Sequence, residues 1–266
     1  MPARSWAALD LGELWRHREL LLFLAWRDVK VRYKQTVLGG LWAVLQPALM
    51  MVVFTIIFGR YAGIDSEGAP YEVFSYAGLL PWVYFQGATT HGANSLVANA
   101  RLITKTYFPR LYLPMASTMA AVLDYAIALL LLAVLMAVFG VVPDAELACL
   151  PLLLPLALLA AAGAGALLGA LNVEYRDLRY VTPFLMQLWM FATPVIWPAT
   201  GVPEGRRWLL GLNPMGGIVD AHRAAVLPGK SIDWSLLGLS AATSLLLLAV
   251  GLLYFRRVER SFADVI

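Results

Sequence analysis

Long apolar runs alternate with short polar connections along most of the chain. Six runs approach the roughly 20 residues that a helix needs to cross a bilayer: residues 38–58, 74–98, 113–139, 147–171, 181–197 and 236–255. The second run is polar for a span, since it contains Gln86, Thr90 and His91, and the fifth run is short. The pattern predicts an all-α integral membrane protein with six transmembrane helices.

The segment before the first run has a different pattern. Leu22, Trp26, Val29 and Tyr33 recur at helical spacing, with basic residues beside this stripe. A basic amphipathic helix that precedes a span is typical of a helix lying in the membrane surface, where its cations reach anionic headgroups. A helix packed on a soluble partner would show the same pattern.

Positive charges are distributed unevenly between the two sides of the predicted spans. Of the 20 Lys and Arg residues, fifteen fall on the side of the N-terminus and five on the other side. Because positive loops stay in the cytoplasm, both termini are predicted to be cytoplasmic. The chain then divides into an interface segment (1–36), a six-span domain (37–255) and a tail (256–266). Asn213-Pro214 favours a helix start in the outer loop, which is predicted to hold short re-entrant helices.

Composition agrees with this class. Hydrophobic residues make up 61% of the 266 residues and charged residues 14%, whereas soluble domains carry roughly 25% charged residues. The net charge of +3 predicts no nucleic-acid partner. The single cysteine, Cys149, excludes an intramolecular disulfide and argues against a zinc site.

Few residues in the apolar runs carry candidate chemistry. Asp124 lies well inside the third run, without a basic residue at matching depth in the pattern. A carboxylate there normally faces the bundle interior or water, so a structural hydrogen-bonded role leads, and proton coupling is the alternative. Residues 224–231 end in Gly-Lys-Ser and imitate a phosphate-binding loop, but they follow a helical segment rather than a strand. The sequence therefore predicts no ATPase and no catalytic site in this chain.

Two inner connections are candidates for protein contacts. Residues 99–110 combine positive and apolar side chains, which suits a docking element and a headgroup-anchored turn equally well; the candidates are Asn99, Arg101, Leu102, Ile103, Lys105 and Tyr107. Residues 172–180 interleave acids and bases, which favours a structural ion network before a gating role; its members are Glu174, Arg176, Asp177 and Arg179.

Three segments resemble one family of membrane proteins. RDVKVRYKQTVLGGLWAVLQP (27–47) resembles the N-terminal segment of the type-2 ABC-transporter permeases that export polysaccharides. NVEYRDLRYVTPFLMQLWMFATPVIWP (172–198) is similar to their fourth loop and fifth span, and residues 213–223 to the segment before their last span. The matches lie in order across nearly the whole chain.

The resemblance implies a homodimer in the inner membrane with a central channel. Two copies of a cytoplasmic ATPase would bind ATP and Mg, dock on residues 99–110 and the surface helix, and leave this chain without a cofactor. The implied substrate is an undecaprenyl-diphosphate-linked glycan of O-antigen type; teichoic acid, capsule, a drug or a lipid are alternatives. Candidates for holding the lipid pyrophosphate at a gate, by charge and position, are Arg27, Lys30, Arg32, Tyr33 and Lys34.

Aromatic residues are abundant, and many belong to membrane-interface belts. Six lie deeper or near the mouths of the predicted spans, where their faces suit either ordinary packing or stacking on the sugar rings of a sliding polymer: Trp42, Phe54, Phe58, Phe85, Trp189 and Phe191. From other classes, a proton-coupled secondary transporter that uses Asp124 and a non-transporting membrane scaffold stay open.

Overall fold

The computed structural model describes residues 16–34, 39–105, 108–175, 177–259 and 262. Within these ranges the chain is helical and forms no strand, which confirms the predicted all-α class. The α-helices are α1 (Arg18–Tyr33), α2 (Trp42–Phe54), α3 (Tyr71–Ala98), α4 (Ala100–Lys105), α5 (Tyr112–Phe139), α6 (Leu150–Glu174), α7 (Leu178–Ala192), α8 (Trp208–Gly211), α9 (Gly216–Val226) and α10 (Trp234–Val258).

Four helical segments of the described residues are long and apolar enough to cross a membrane: Gly39–Tyr61, Tyr112–Phe139, Ala145–Glu174 and Trp234–Val258. They correspond to the first, third, fourth and sixth predicted runs. The first continues beyond α2 as a π-helical turn, Thr55–Tyr61. Helix α3 has 28 residues but a polar face, and α7 has only 15 residues. Two of the six predicted spans therefore fall short of the apolar content or the length of an ordinary spanning helix.

Helix α3 lies at the centre of the bundle and packs mainly on α5 and α6. Small residues allow the helices to approach closely, as is common in membrane bundles. A Cβ atom on Gly92 of α3 would lie 3.1 Å from the Cα atom of Gly165 on α6. A Cβ atom on Gly251 of α10 would lie 2.2 Å from the carbonyl oxygen of Gly163. Helix α6 thus contacts α3 and α10 backbone to backbone.

Helix α1 packs along α5. The face that touches the bundle buries Leu24 and Ala25, and Ser117 of α5 donates a 3.0 Å hydrogen bond to Asp28. The predicted apolar stripe is divided, since Leu22 and Trp26 are each 57% exposed but Tyr33 is half-buried. One face of α1 therefore holds the bundle, and a second apolar face is free for lipid.

The connection between α7 and α10, which was predicted to be an outer loop, contains the predicted short helix, α9. The prediction that Asn213 caps this helix is wrong, because Met215 occupies the N-cap position. The side-chain oxygen of Asn213 instead accepts hydrogen bonds from the Met215 amide at 3.0 Å and from the Trp189 indole at 2.9 Å. Asn213 is thus turned toward α7 rather than toward the end of its own helix.

The loop after α9 does not have the form of a phosphate-binding loop. It follows a helix, and its Lys230 ammonium contacts Glu67 at 2.6 Å and Asp220 at 2.8 Å. The amide of Gly229 donates to Asp144 at 2.7 Å. This context confirms the prediction that Gly-Lys-Ser only imitates a phosphate-binding loop, since the lysine pairs with two carboxylates of the chain.

Candidate functional site

A cavity of 410 Å³ opens between α1, α2, α3 and α5. Its volume is in the range of small-ligand sites, roughly 300–1,000 Å³. Polar side chains from all four elements line it: Arg32, Tyr33, Gln46, Gln86, Thr90, His91 and Asp124. Aromatic side chains complete the wall, among them Trp42, Tyr84 and Tyr125. A polar concavity inside an apolar helix bundle is the strongest candidate for a functional site.

Asp124 is the central charged group of this cavity. Its two carboxylate oxygens accept hydrogen bonds from the Arg32 guanidinium and from the Tyr33 hydroxyl. The side chains of Arg32 and Asp124 are 23% and 28% exposed, so the pair is partly shielded from water. Burial and the neighbouring carboxylate raise the pKa of the Tyr33 hydroxyl above its ordinary value, which keeps it a proton donor.

The structural interpretation of Asp124 is confirmed by these contacts. The expectation that no basic residue lies at its depth is wrong, because α1 packs on α5 and brings Arg32 to it across 92 residues of sequence. The periodicity of α1 indicated which residues share a face, and the packing of α1 on α5 decided what that face meets.

The basic candidates of α1 differ in whether an acidic side chain pairs with them. Arg27 contacts its neighbour Asp28 at 2.8 Å, and Arg32 is paired with Asp124. Lys30 and Lys34 are exposed, and the Lys30 ammonium lies 5.6 Å from the Trp26 ring centroid. The charges most accessible to an external anion are therefore those of the two lysines. The pyrophosphate role of these residues and of Tyr33 stays a prediction.

The predicted docking element contains the short helix α4. Asn99 ends α3, and its side-chain amide donates to the Ser95 carbonyl at 2.8 Å. On α4, Ile103 is buried and Leu102 packs partly against the cluster that holds α1, whereas Arg101 and Lys105 are exposed. The element thus has an anchored apolar side and an accessible basic side. Tyr107 lies outside the described residues.

Arg223 on α9 is a residue whose importance the sequence pattern did not indicate. It is fully buried and donates to the backbone carbonyls of Pro194 at 2.6 Å, Trp197 at 3.0 Å and Phe74 at 3.2 Å, and also to that of Val195. Its guanidinium carbon lies 3.8 Å from the Phe74 ring centroid. Three of the four carbonyls belong to the non-helical segment that follows α7, so Arg223 supplies donors to backbone groups that no helix satisfies.

The two family-like segments 172–198 and 213–223 therefore contact each other. Besides the bonds of Arg223, the Asn213 side-chain amide donates to the Thr193 hydroxyl at 2.8 Å. Asn213 and Arg223, at the two ends of one segment, thus hold the break after α7.

A model of the family described as "ABC-2 type transporter" matches residues 19–227. This chain belongs to the ABC-2 type transporter family. It is 31% identical over 254 residues to the O-antigen export system permease protein RfbA of Myxococcus xanthus, covering 95% of this chain and 97% of the relative. It is 28% identical over 258 residues to the protein of the same name in Klebsiella pneumoniae, covering 97% of each. A further relative is the polysialic acid transport protein KpsM of Escherichia coli, 24% identical over 90% of this chain and 93% of that protein.

The resemblance found in three segments is thus confirmed over nearly the whole chain. Members of the ABC-2 family normally work with an ATPase partner. The described residues of this ABC-2 chain hold no group of three or more His, Cys, Asp or Glu side chains that could hold a metal ion.

The charged loop between α6 and α7 of this ABC-2 chain has aromatic neighbours. In the described part of the chain, Glu174, Asp177 and Arg179 form no ion pair with one another. Glu174 instead accepts a 2.9 Å hydrogen bond from the Tyr254 hydroxyl, and the Arg179 guanidinium lies 4.9 Å from the Tyr180 ring. The predicted ion network also includes Arg176 and neighbouring loops, and it stays a prediction. Arg176 lies outside the described residues.

The aromatic candidates of the ABC-2 chain fall into two groups. Phe85 is buried and packs edge-on against Trp189 at 5.1 Å, and Phe54 is buried and contacts Phe58 at 5.6 Å. Trp42 and Phe191 are 51% and 53% exposed, and Trp42 lines the cavity. Four of the six therefore pack within the chain, and two present open ring faces. Their contact with a polymer stays a prediction.

Proposed function

We propose that this chain is the permease subunit of an ATP-driven exporter that moves an undecaprenyl-diphosphate-linked polysaccharide of O-antigen type across the inner membrane. The observation that carries this proposal is the similarity to O-antigen export permeases over 95–97% of the chain, which includes the two segments that contact each other around Arg223. Teichoic acid, capsule, a drug or a lipid are the alternative substrates.

The proposed topology has six spans, with both termini in the cytoplasm. At 1.5 Å per residue, the 28 residues of α3 reach about 42 Å, which is more than the roughly 30 Å hydrocarbon core. The 15 residues of α7 reach about 22 Å, and the segment that Arg223 holds extends this path. Helix α9 is buried in protein throughout, as backbone at membrane depth must be when it belongs to a re-entrant helix.

The proposed complex is a homodimer with two copies of an ATPase, which bind ATP and Mg. An external motor is needed because the Gly-Lys-Ser segment of this chain lacks the strand–loop–helix context of a phosphate-binding loop. The exposed basic side of α4 supplies a docking surface. Dimerisation supplies the second wall of a channel that one bundle, with α3 packed at its centre, is too small to enclose.

A proton-coupled transporter based on Asp124 has less support. Both oxygens of its carboxylate are engaged by donors of the chain itself, Arg32 and Tyr33. In that alternative, Asp124→Asn abolishes transport while depletion of ATP at a constant proton gradient leaves it intact. The export proposal requires the opposite response to ATP depletion.

The proposal is tested by co-expressing the chain with its partner ATPase and reconstituting the complex in liposomes. We expect lipid-linked glycan to stimulate ATP hydrolysis, and a complex with an ATP-binding lysine of the ATPase replaced to show no stimulation. In a deletion strain, polymer should accumulate in the cytoplasm, whereas a drug or lipid permease would leave the glycan at the surface. A chain that purifies as a monomer and binds no ATPase contradicts the proposal.

A further inference from the structure

Besides its charged pair, the cavity between α1, α2, α3 and α5 contains side chains that can still form hydrogen bonds. Gln46 of α2 and Gln86 and Thr90 of α3 line it. Among the described residues, the side-chain amides of the two glutamines and the Thr90 hydroxyl bond to no other group of the chain. Gln46 is exposed, and Gln86 and Thr90 are half-buried. They are therefore available to a ligand.

The position of these groups makes that availability significant. At 1.5 Å per residue, Gln86 lies about 18 Å along α3 from its Ala98 end, which is roughly half of a hydrocarbon core. Polar side chains at such depth are costly against lipid and normally face protein, water or a transported substrate. Gln86, Thr90 and Asn94 recur every four residues on one side of α3, so this half of the helix has a polar face.

The charges of the cavity do not favour an anionic ligand. The Arg32 guanidinium is bonded to Asp124, and the Tyr33 hydroxyl donates to the same carboxylate. An anion that entered would meet a cation already neutralised, and it would meet the negative charge of Asp124 as well. The accessible cations, Lys30 and Lys34, are exposed on α1 and are absent from the lining of the cavity. The interior therefore suits an uncharged polar group.

Aromatic rings provide the second half of the site. The Trp42 ring is 51% exposed and lines the cavity, while the Tyr84 and Tyr125 rings pack edge-on at 5.8 Å to form part of the wall. A pyranose ring has hydroxyl groups at its edge and C–H groups on its face. The amides and the hydroxyl of the cavity can bond the sugar hydroxyls, and an aromatic ring can contact the C–H groups. A concave wall lined from four elements also fits a compact ring better than the flat side of a partner helix.

From these features we propose that the cavity is a binding subsite for one uncharged sugar unit of the exported glycan, separate from the place where the lipid pyrophosphate is held. Gln46 and Gln86 bond the sugar hydroxyls, Thr90 adds a further hydroxyl contact, and Trp42 contacts the ring face. The inference rests on the proposed export function and assigns the sugar-reading part of that function to named residues.

The test uses the full complex of this chain with its ATPase in nanodiscs. The probe is the free oligosaccharide released by mild acid from the glycan that the source strain exports, with inorganic pyrophosphate as a competitor. Each of Gln46→Leu and Gln86→Leu should weaken oligosaccharide binding by roughly three- to tenfold, the effect of one neutral hydrogen bond. Gln187→Leu is the matched control, because Gln187 is an exposed amide on α7 outside the cavity. It should bind as the unchanged protein does.

Three results would overturn the subsite. The first is that Gln86→Leu binds the oligosaccharide as tightly as the unchanged protein does. The second is that pyrophosphate competes with the oligosaccharide to the same extent with and without the Gln46 and Gln86 substitutions. The third is that Gln86→Leu no longer forms the dimer, which would make the α3 face a subunit contact. Failure of the export proposal is recognised separately. In that case even the unchanged chain binds no ATPase and lipid-linked glycan does not stimulate hydrolysis. Stimulation that persists while the oligosaccharide results are negative refutes the subsite alone.

Discussion

Replacing Asp124 by Ala is expected to loosen helix α1 from helix α5. The change removes the acceptor of both the Arg32 and the Tyr33 hydrogen bonds and leaves the Arg32 charge partly buried. Exposed ion pairs contribute about 0–1 kcal/mol, and breaking a buried pair costs about 3–5 kcal/mol. With side chains 23% and 28% exposed, this pair falls between the two, and we expect a loss of about 2 kcal/mol.

A loss of about 2 kcal/mol corresponds to a roughly 30-fold larger equilibrium constant for local opening of α1. Hydrogen exchange of the α1 amides, measured by mass spectrometry on the complex in nanodiscs, reports this constant. Amides of α10 provide the internal reference and should be unchanged. Lys30→Ala is the control variant, because Lys30 is exposed and its aromatic neighbour Trp26 lies on α1 itself.

A double-mutant cycle identifies the cause. If the Arg32–Asp124 contact is responsible, Arg32→Ala combined with Asp124→Ala should open α1 scarcely more than Asp124→Ala alone. Strictly additive effects of the two substitutions, or less than a threefold change in α1 exchange for Asp124→Ala, would refute the assignment of this pair as the link between the two helices.

Three further expectations concern packing and docking. Arg223→Met should lower the melting temperature strongly, with a loss of stability of about 3 kcal/mol or more, because buried carbonyls lose a charged donor. Arg206→Met, at an exposed position of the same loop, should have little effect. Equal shifts of the two variants in a thermal size-exclusion assay would contradict this. Gly163→Ala should lower the stability by about 1–3 kcal/mol, because its Cβ atom would lie 2.6 Å from the backbone of α10. The Cβ atom of Gly238→Ala would meet nothing within 4 Å, so this control should be neutral or slightly stabilising in the same assay. Arg101→Glu on the exposed side of α4 should weaken co-purification of the ATPase at an unchanged melting temperature; undiminished co-purification would exclude this surface from docking.

The positions of most helices were predictable from the sequence. The run 113–139 became α5, Tyr112–Phe139, and the run 236–255 became most of α10, Trp234–Val258. These predictions succeed because the apolar content and length of each run are local properties, and they decide by themselves whether a segment partitions into a bilayer. The unusual polarity of the cavity-lining helix α3 was also predictable from its sequence. The sequence did not indicate which side chains its polar face contacts.

The contacts of the candidate site depended on the tertiary structure. Arg32 and Asp124 are 92 residues apart in the chain, and Arg223 is bonded to carbonyls of residues 194–197 from a different element. Glu174 in the loop 172–180 is bonded to Tyr254, which lies 80 residues further along the chain. No periodicity contains these pairings, since the same residues on the same helices would find other partners if the helices packed in another order.

The sequence by itself therefore determined the class, the helical segments, the charge asymmetry and the family. The first three follow from composition or from spacing within one segment, whereas the family follows from the resemblance of three segments and the similarity to known relatives. Only the tertiary structure decided that α1 is tied to α5 through Asp124, that Asn213 and Arg223 hold the break after α7, and that Gln46 and Gln86 share one cavity. Such contacts arise from the relative placement of whole helices, which is set by close approaches such as Gly92 on Gly165 and not by the pattern of any single segment.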